Sequence, residues 1–290
     1  MIKSMTGFGK VTAELPSKKV TVEIKALNSK QLDLSTRIPS VYREKEMEIR
    51  TQLLQTLERG KIEFSIFVEY LGKDTPTQIN SGAIESYYQQ IKDISANLNI
   101  AVPSDWFQIL LRLPDAIRTE AAEVNEEEWH IISEAISRAI EQLIEFRIQE
   151  GKMLGKLFEN KISNIAALLM EIEKYEGERI EKIKTRIMDN LEKVAGMDYD
   201  KNRFEQEMIY YIEKLDINEE KNRLDNHLKY FISTMKNESS TGKKLGFIVQ
   251  EIGREVNTLG SKSNQVEMQQ IVVRMKDELE QIKEQILNVL

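Results

Sequence analysis

The spacing of apolar residues changes once along the chain, and this change constrains the fold more than any other feature. From Ile2 to Leu71 apolar and polar residues mostly alternate, as in segments 19–25 and 61–68. Such alternation is typical of strands with one buried face. From about Asn125 onward the period becomes 3.6, which is typical of amphipathic helices. The sequence therefore predicts an α+β protein, mostly α overall, with a small antiparallel sheet at the N-terminus, then long helices and a C-terminal helical domain.

The same patterns divide the chain into three predicted segments. These are an α+β N-terminal domain (1–124), a stretch of long helices or a helical bridge (125–200) and a C-terminal helical domain (201–290). In the first segment we expect one helix between Ser40 and Gly60 and another from about Ser81 to Asn97. The apolar positions of the first helix are Met47, Leu53, Leu54 and Leu57.

The C-terminal domain ends in apolar residues spaced alternately three and four apart. They are Val272, Met275, Leu279, Ile282, Ile286 and Val289. This spacing suits coiled-coil-like pairing, either within the chain or between subunits.

Composition excludes several classes of protein. Hydrophobic residues make up 41% of the 290 residues and charged residues 31%, which excludes collagen-like and natively disordered chains. The longest apolar run, 165–170, is far shorter than the ~20 residues that a bilayer span needs. Residues 1–30 lack the apolar core of a signal peptide, and the chain has no cysteine, which excludes thiolate chemistry. We therefore expect a cytoplasmic protein with no membrane partner.

The charge is acidic overall but unevenly distributed. A net charge of -7 argues against a uniformly basic nucleic-acid-binding surface. Residues 1–70, however, contain 12 basic and 9 acidic side chains. A local patch that binds phosphates is therefore compatible with the sequence.

A first group of polar residues lies beside a predicted apolar helix stripe. If residues 216–227 are helical, Asp216, Glu220, Arg223 and His227 fall within about 60° of one another. Two carboxylates four residues apart suit a hard divalent cation, and a histidine suits proton transfer near neutral pH. The alternative is a set of solvated ion pairs along a helix, with a histidine that serves only structure.

A second group follows the same logic on the next predicted helix. Lys244, Glu251, Glu255 and Lys262 align within about 40° on a helix that begins at Lys243. Together with Asp216 and Glu220, the two glutamates form a candidate oxygen cage for a metal, and the lysines are candidates for phosphate contacts. A salt-bridged helical hairpin is again the alternative.

Several segments resemble the bacterial YicC/YloC family along nearly the whole chain. In the N-terminal part these are residues 1–9, 28–34 with Arg37 and Pro39, and 59–63. In the C-terminal part, segments 214–227 and 242–264 match the family almost word for word. The resemblance implies a metal-dependent endoribonuclease that acts on single-stranded or structured RNA. It also implies a ring-like homo-oligomer, a hexamer, and a role in RNA turnover beside an exoribonuclease such as polynucleotide phosphorylase.

The family's polar motif positions fall on specific residues of this chain. In the C-terminal part they are Asp216, Glu219, Glu220, Arg223, His227, Glu251, Arg254, Glu255, Asn257 and Lys262. In the N-terminal part they are Asn28, Lys30, Arg37, Arg59 and Lys61.

Resemblance and helical geometry together give one hypothesis for the site. The predicted ligands of Mn²⁺ or Mg²⁺ are Asp216, Glu220, Glu251 and Glu255. The predicted catalytic residues are His227, which transfers a proton, with Glu220 and Glu251. The predicted RNA-binding residues are Arg223, Lys244, Arg254, Lys262, Lys30, Arg37, Arg59 and Lys61. Two rivals remain: an RNA-binding adaptor without catalysis that recruits a partner ribonuclease, and a helical scaffold that uses the stripe 272–289 as its oligomer seam.

Overall fold

The computed structural model describes residues 2–71, 77–102, 104–119, 125–195, 201–238, 242–263 and 265–290. Its strands are β1 (Gly7–Glu14), β2 (Lys18–Leu27), β3 (Leu32–Arg37), β4 (Gly60–Tyr70), β5 (Thr77–Ile79) and β6 (Ile117–Thr119). Its helices are α1 (Glu46–Thr56), α2 (Ser81–Leu98), α3 (Trp106–Leu110), α4 (Glu126–Ala195), α5 (Lys201–Leu215), α6 (Asn218–Asn237), α7 (Gly242–Lys262) and α8 (Val266–Ile286). The predicted α+β, mostly helical fold is confirmed.

The chain forms two compact units. The first, here called the helical unit, contains Met1–Gly7, Ala26–Gln31 and Ile144–Leu290. The second, the sheet unit, contains Phe8–Lys25 and Leu32–Leu143. The three-domain division stays a prediction.

The main sheet has the strand order β1-β2-β4-β3. Hydrogen bonds between Leu15 and Lys18 close a tight β1–β2 hairpin, whereas β3 pairs with β4 in parallel, from Leu32 opposite Gly60 to Arg37 opposite Ser65. The prediction of a purely antiparallel sheet was therefore wrong at this edge. The 3-10 turn Ser40–Lys45 and α1 lie between β3 and β4 and provide the connection that parallel strands need.

One face of the sheet is buried beneath helices. It carries Val20, Val22 and Ile24 of β2 and Ile62, Phe64 and Ile66 of β4. Helix α4 comes so close to β1 that a Cβ on Gly9 would lie 2.0 Å from the carbonyl oxygen of Ala139.

Two residues predicted on the apolar side of the first helix are exposed. Met47 and Leu54 face solvent, while Ile49 and Leu53 are buried. The helix proper begins only at Glu46, after the 3-10 turn, so its buried face differs from the predicted one. The second predicted helix is confirmed by α2, whose first turn is capped by the side chain of Asn80, which accepts the N–H of Ala83 at 3.2 Å.

The core of the helical unit lies among α4, α6, α7 and α8. The predicted stripe from Val272 to Val289 is buried there within the chain, so it is not an exposed oligomer seam. Residues near both ends of the chain pack on this core: Ser4 bridges to Val289, and the N–H of Leu290 donates to the carbonyl of Lys3 at 2.9 Å.

Candidate functional site

Helices α6 and α7 form a hairpin with an apolar seam and a polar border. The seam contains Leu224, Leu228 and Phe231 of α6 and Ile252, Val256 and Leu259 of α7, all buried. The start of α6 meets the end of α7 through an ion pair between Glu220 and Lys262, which fixes the two helices as antiparallel. Most of the side chains predicted to form the site lie along this border.

The Glu220–Lys262 pair is the most constrained part of the border. Glu220 is 7% exposed in the first turn of α6, where the helix dipole favours an acid. Its Oε1 accepts a hydrogen bond from Lys262 Nζ at 2.8 Å, and the same ammonium donates to the carbonyl oxygen of Asp216 at 2.8 Å. Glu220 Oε2 is buried and has no hydrogen-bond partner among the described residues.

Asp216 is not on the same helix as Glu220. The residue precedes α6, which begins at Asn218, and its Oδ1 accepts the N–H of that asparagine at 3.1 Å. The prediction of two carboxylates four residues apart on one helix was therefore wrong. Asp216 contributes its backbone carbonyl to Lys262 instead.

His227 and Glu255 continue the border away from the ion pair. His227 lies seven residues after Glu220, and Glu255 lies seven residues before Lys262. Seven residues are two helical turns, or about 10 Å, so antiparallel helices bring the two residues to the same level. Glu255 is 5% exposed and His227 is half-buried, and neither forms an ion pair within the described part of the chain.

The three other basic residues predicted on the hairpin have acidic partners: Arg223 and Arg254 are exposed, and Lys244 is half-buried. Arg223 pairs with Glu219 one turn earlier, and Arg254 pairs with Glu251 at 4.0 Å. Lys244 donates to Glu238 at 2.5 Å and lies over the ring of Tyr230, 5.2 Å from its centroid. The hydrogen bond with Glu238 and the neighbouring Tyr230 raise the pKa of Lys244. Glu251 is exposed, so it does not join Glu220 in the buried part of the border.

These positions do not fit the metal site predicted from the sequence. Among the residues that the structure describes, no three acidic or histidine side chains come together in a way that could hold an ion. Glu220 already accepts a hydrogen bond from Lys262, and Asp216 accepts one from the N–H of Asn218. Glu251 is paired with Arg254. The four-carboxylate cage is therefore not assembled in a single chain.

The four basic residues predicted in the N-terminal part occupy different positions. Arg37 and Lys61 are exposed on strands β3 and β4 of the sheet unit, and Lys61 pairs with Glu63 at 3.4 Å. Arg59 is half-buried just before β4. Lys30 is exposed and belongs to the helical unit.

A residue that helical spacing did not single out, Lys221, ties α6 to α4. Lys221, next to Glu220, donates to Glu176 at 2.7 Å and lies 3.7 Å from Glu173. Its partners are about 45 residues away in sequence, so helical spacing could not reveal the contact.

Comparisons with known proteins agree with the resemblance. Residues 2–156 match a family model described as the N-terminal region of YicC-like endoribonucleases, and residues 172–290 match the model of their C-terminal part. A Clostridioides difficile protein named "Probable endoribonuclease YicC" is 31% identical, with all of both chains covered. A Haemophilus influenzae protein of the same name is 29% identical, again with both chains fully covered.

The sequence predicted that no apolar segment is long enough to span a membrane. Within the described ranges, none of the helices combines the length and the apolar character required to cross a bilayer.

The family models together span nearly the whole chain and one full-length relative exceeds 30% identity, so this chain belongs to the YicC-like endoribonuclease family.

Proposed function

We propose that this chain is an endoribonuclease that cuts phosphodiester bonds in single-stranded or structured RNA, with its active site on the polar border of the α6–α7 hairpin. The observation that carries the proposal is the buried Glu220 carboxylate, which is held through one oxygen by Lys262 while the other has no partner among the described residues. An unpaired buried oxygen costs free energy, and such costs concentrate at functional sites.

Lys262 is placed to bind a phosphate. An ammonium group has three N–H donors, and Lys262 uses two of them on Asp216 and Glu220. The third is left for a phosphate oxygen, where the positive charge stabilises the charge that develops during cleavage.

Glu220 and His227 share the proton transfers. Glu220 Oε2 accepts the proton of the hydroxyl group that attacks the phosphorus atom of the RNA. His227 supplies a proton to the oxygen that leaves the phosphorus atom. His227 lies two turns after Glu220 on the same border of α6, about 10 Å along the helix axis. Glu255 lies at the level of His227 on the facing helix.

The requirement for Mn²⁺ or Mg²⁺ stays a prediction, and no step above depends on it. Four further expectations also stay predictions: Glu251 as a catalytic residue, the ring-like homohexamer, the exoribonuclease partner and the cytoplasmic location. Light scattering on the purified protein tests the hexamer directly.

Cleavage of an end-labelled RNA tests the proposal. The reactions contain Mn²⁺ or EDTA, with wild type, Glu220→Gln, His227→Ala and the control Glu219→Gln. Glu219 is exposed in the same first turn of α6, so its variant controls for the loss of a charge there. We expect internal cuts in wild type and control and none in the other two. Wild-type cutting by Glu220→Gln would refute the site, and RNA binding without any cut would favour the adaptor.

A further inference from the structure

The face of the main sheet opposite the buried one is open to solvent and carries two phenylalanines. Phe8 of β1 is 40% exposed and Phe67 of β4 is 53% exposed. Both strands place the buried residues Gly9 and Ile66 on the other side, so alternation puts the two rings on the same open face. Exposed rings on a sheet lose water on binding a flat partner, which makes them candidates for contact with bases.

The two rings are separated by polar residues. The hydroxyls of Thr12 and Thr21 meet at 3.3 Å, and the N–H of Leu71 donates to the carbonyl of Ser17 at 2.8 Å. These contacts set Phe8 beside Lys25 and Phe67 level with Thr21. With strands about 4.8 Å apart and about 3.3 Å per residue, the rings are about 16 Å from each other.

A cation accompanies each ring. The ammonium of Lys25 lies 5.8 Å from the centroid of Phe8, and Lys10 is exposed two residues further along β1. Arg37 lies opposite Ser65, two residues before Phe67. Lys10 and Arg37 form no ion pair within the described residues, whereas Lys25 pairs with Glu23 at 2.6 Å.

Three of the five acidic residues on this face form ion pairs with lysines. Glu14, Glu23 and Glu63 each pair with a lysine, Lys19, Lys25 and Lys61 respectively. Asp33 and Glu69 lack such a pair among the described residues and lie near opposite ends of the sheet.

We propose that the open sheet face is a binding platform for single-stranded RNA, on which Phe8 and Phe67 each stack on a base while Lys10 and Arg37 contact the phosphates. Isolated rings among polar groups suit bases, whereas protein partners select continuous apolar patches. The proposal rests on the proposed function, because it names a second contact for the same substrate.

Fluorescence anisotropy of a labelled RNA 12-mer measures the affinity, with 2-aminopurine in the RNA to report stacking. The variants are Phe8→Leu and Phe67→Leu, and the matched control is Phe107→Leu, an exposed phenylalanine on α3 of the same unit. Stacking contributes about 1–3 kcal/mol per base, so we expect each of the two to weaken binding about 5- to 150-fold and to lose quenching. Phe67→Trp keeps an aromatic ring, so it should bind RNA more tightly than Phe67→Leu does. Circular dichroism checks that each variant is folded.

Salt dependence provides a second readout. The two phosphate contacts of the platform contribute about -1.4 to the slope of log K against log salt, and Lys10→Gln makes the slope less steep by about 0.7. Wild-type affinity and quenching in both leucine variants, with RNA still cut, would overturn the platform and leave the nuclease standing. A change of molecular mass with unchanged RNA affinity would assign the face to a second copy of the chain and also overturn the platform. If wild type neither binds nor cuts RNA, the proposed function itself fails.

Discussion

Gly151 and Gly155 of α4 are one turn apart and face the same N-terminal segment, but they tolerate a methyl group differently. A Cβ on Gly151 would lie 2.3 Å from the carbonyl oxygen of Ile2 and 2.8 Å from the Cα of Lys3. A Cβ on Gly155 would meet only the end of the Ile2 side chain, at 3.8 Å. Gly151→Ala should therefore destabilise the helical unit, and Gly155→Ala should not.

The magnitude follows from the contacts that hold the segment. Real Cβ contacts essentially never fall below 3.0 Å, so the backbone of Ile2 must shift by at least 0.7 Å, which is 3.0 minus 2.3. The shift strains the hydrogen bonds from Ser4 N–H to Arg147 at 2.9 Å and from Met5 N–H to Asn288 at 2.7 Å. Overpacking costs about 1–3 kcal/mol and each lost hydrogen bond about 1 kcal/mol, so Gly151→Ala loses about 2–5 kcal/mol.

Gly155→Ala gains about 0.5–1 kcal/mol because alanine has the higher helix propensity. Gly151→Ala has the same gain, so the difference between the two variants is the cost of the contacts, about 2–5 kcal/mol. Urea titration followed by circular dichroism measures the free energy of unfolding of both. Equal stabilities within about 0.5 kcal/mol would refute the reasoning, because the two substitutions differ only in what the new methyl group meets.

Three further substitutions test other parts of the structure. Burial and the hydrogen bond to Glu128 at 2.7 Å raise the pKa of Tyr42, so just above pH 10 the unfolded chain loses the phenolic proton and the folded chain keeps it. The free energy of unfolding should therefore fall above pH 10 by up to about 1.4 kcal/mol per pH unit. The fall should be smaller in Tyr42→Phe, and urea titrations at pH 9 to 11 measure both. Lys262→Met leaves the buried Glu220 unpaired and should cost up to about 3 kcal/mol, part of which the double variant with Glu220→Gln recovers in the same titration. Gly246→Ala meets nothing within 4 Å and should raise the melting temperature by about 2–4 °C.

Periodicity was sufficient where the interaction was local or where one face was buried. The helix α2 begins at the predicted Ser81, and the stripe from Val272 to Val289 is buried as its spacing requires. The parallel pairing of β3 with β4 could not be predicted, because alternation identifies a strand but not its neighbour. Met47 and Leu54 were misplaced for a related reason: a 3-10 turn before α1 changes the register of the face.

The candidate site shows how sensitive such predictions are to helix boundaries. Asp216 was placed on a helix with Glu220, but α6 begins two residues later, so the shared face does not exist. The pairing of Glu220 with Lys262 joins residues 42 apart and needs the hairpin to form. The sequence identified both side chains and assigned them to different partners.

For the proposed RNA binding, net charge matters less than which cations are free of an acidic partner. Five of the eight basic residues predicted to bind RNA are held by carboxylates, in the pairs Arg223–Glu219, Arg254–Glu251, Lys244–Glu238, Lys61–Glu63 and Lys262–Glu220. RNA must compete with these carboxylates, so each exposed pair adds little to affinity. In the proposed platform, the unpaired cations and the exposed rings are what distinguishes RNA from any other polyanion. An acidic chain can therefore bind RNA, provided that stacking supplies most of the binding free energy and the few free cations fix the path of the strand.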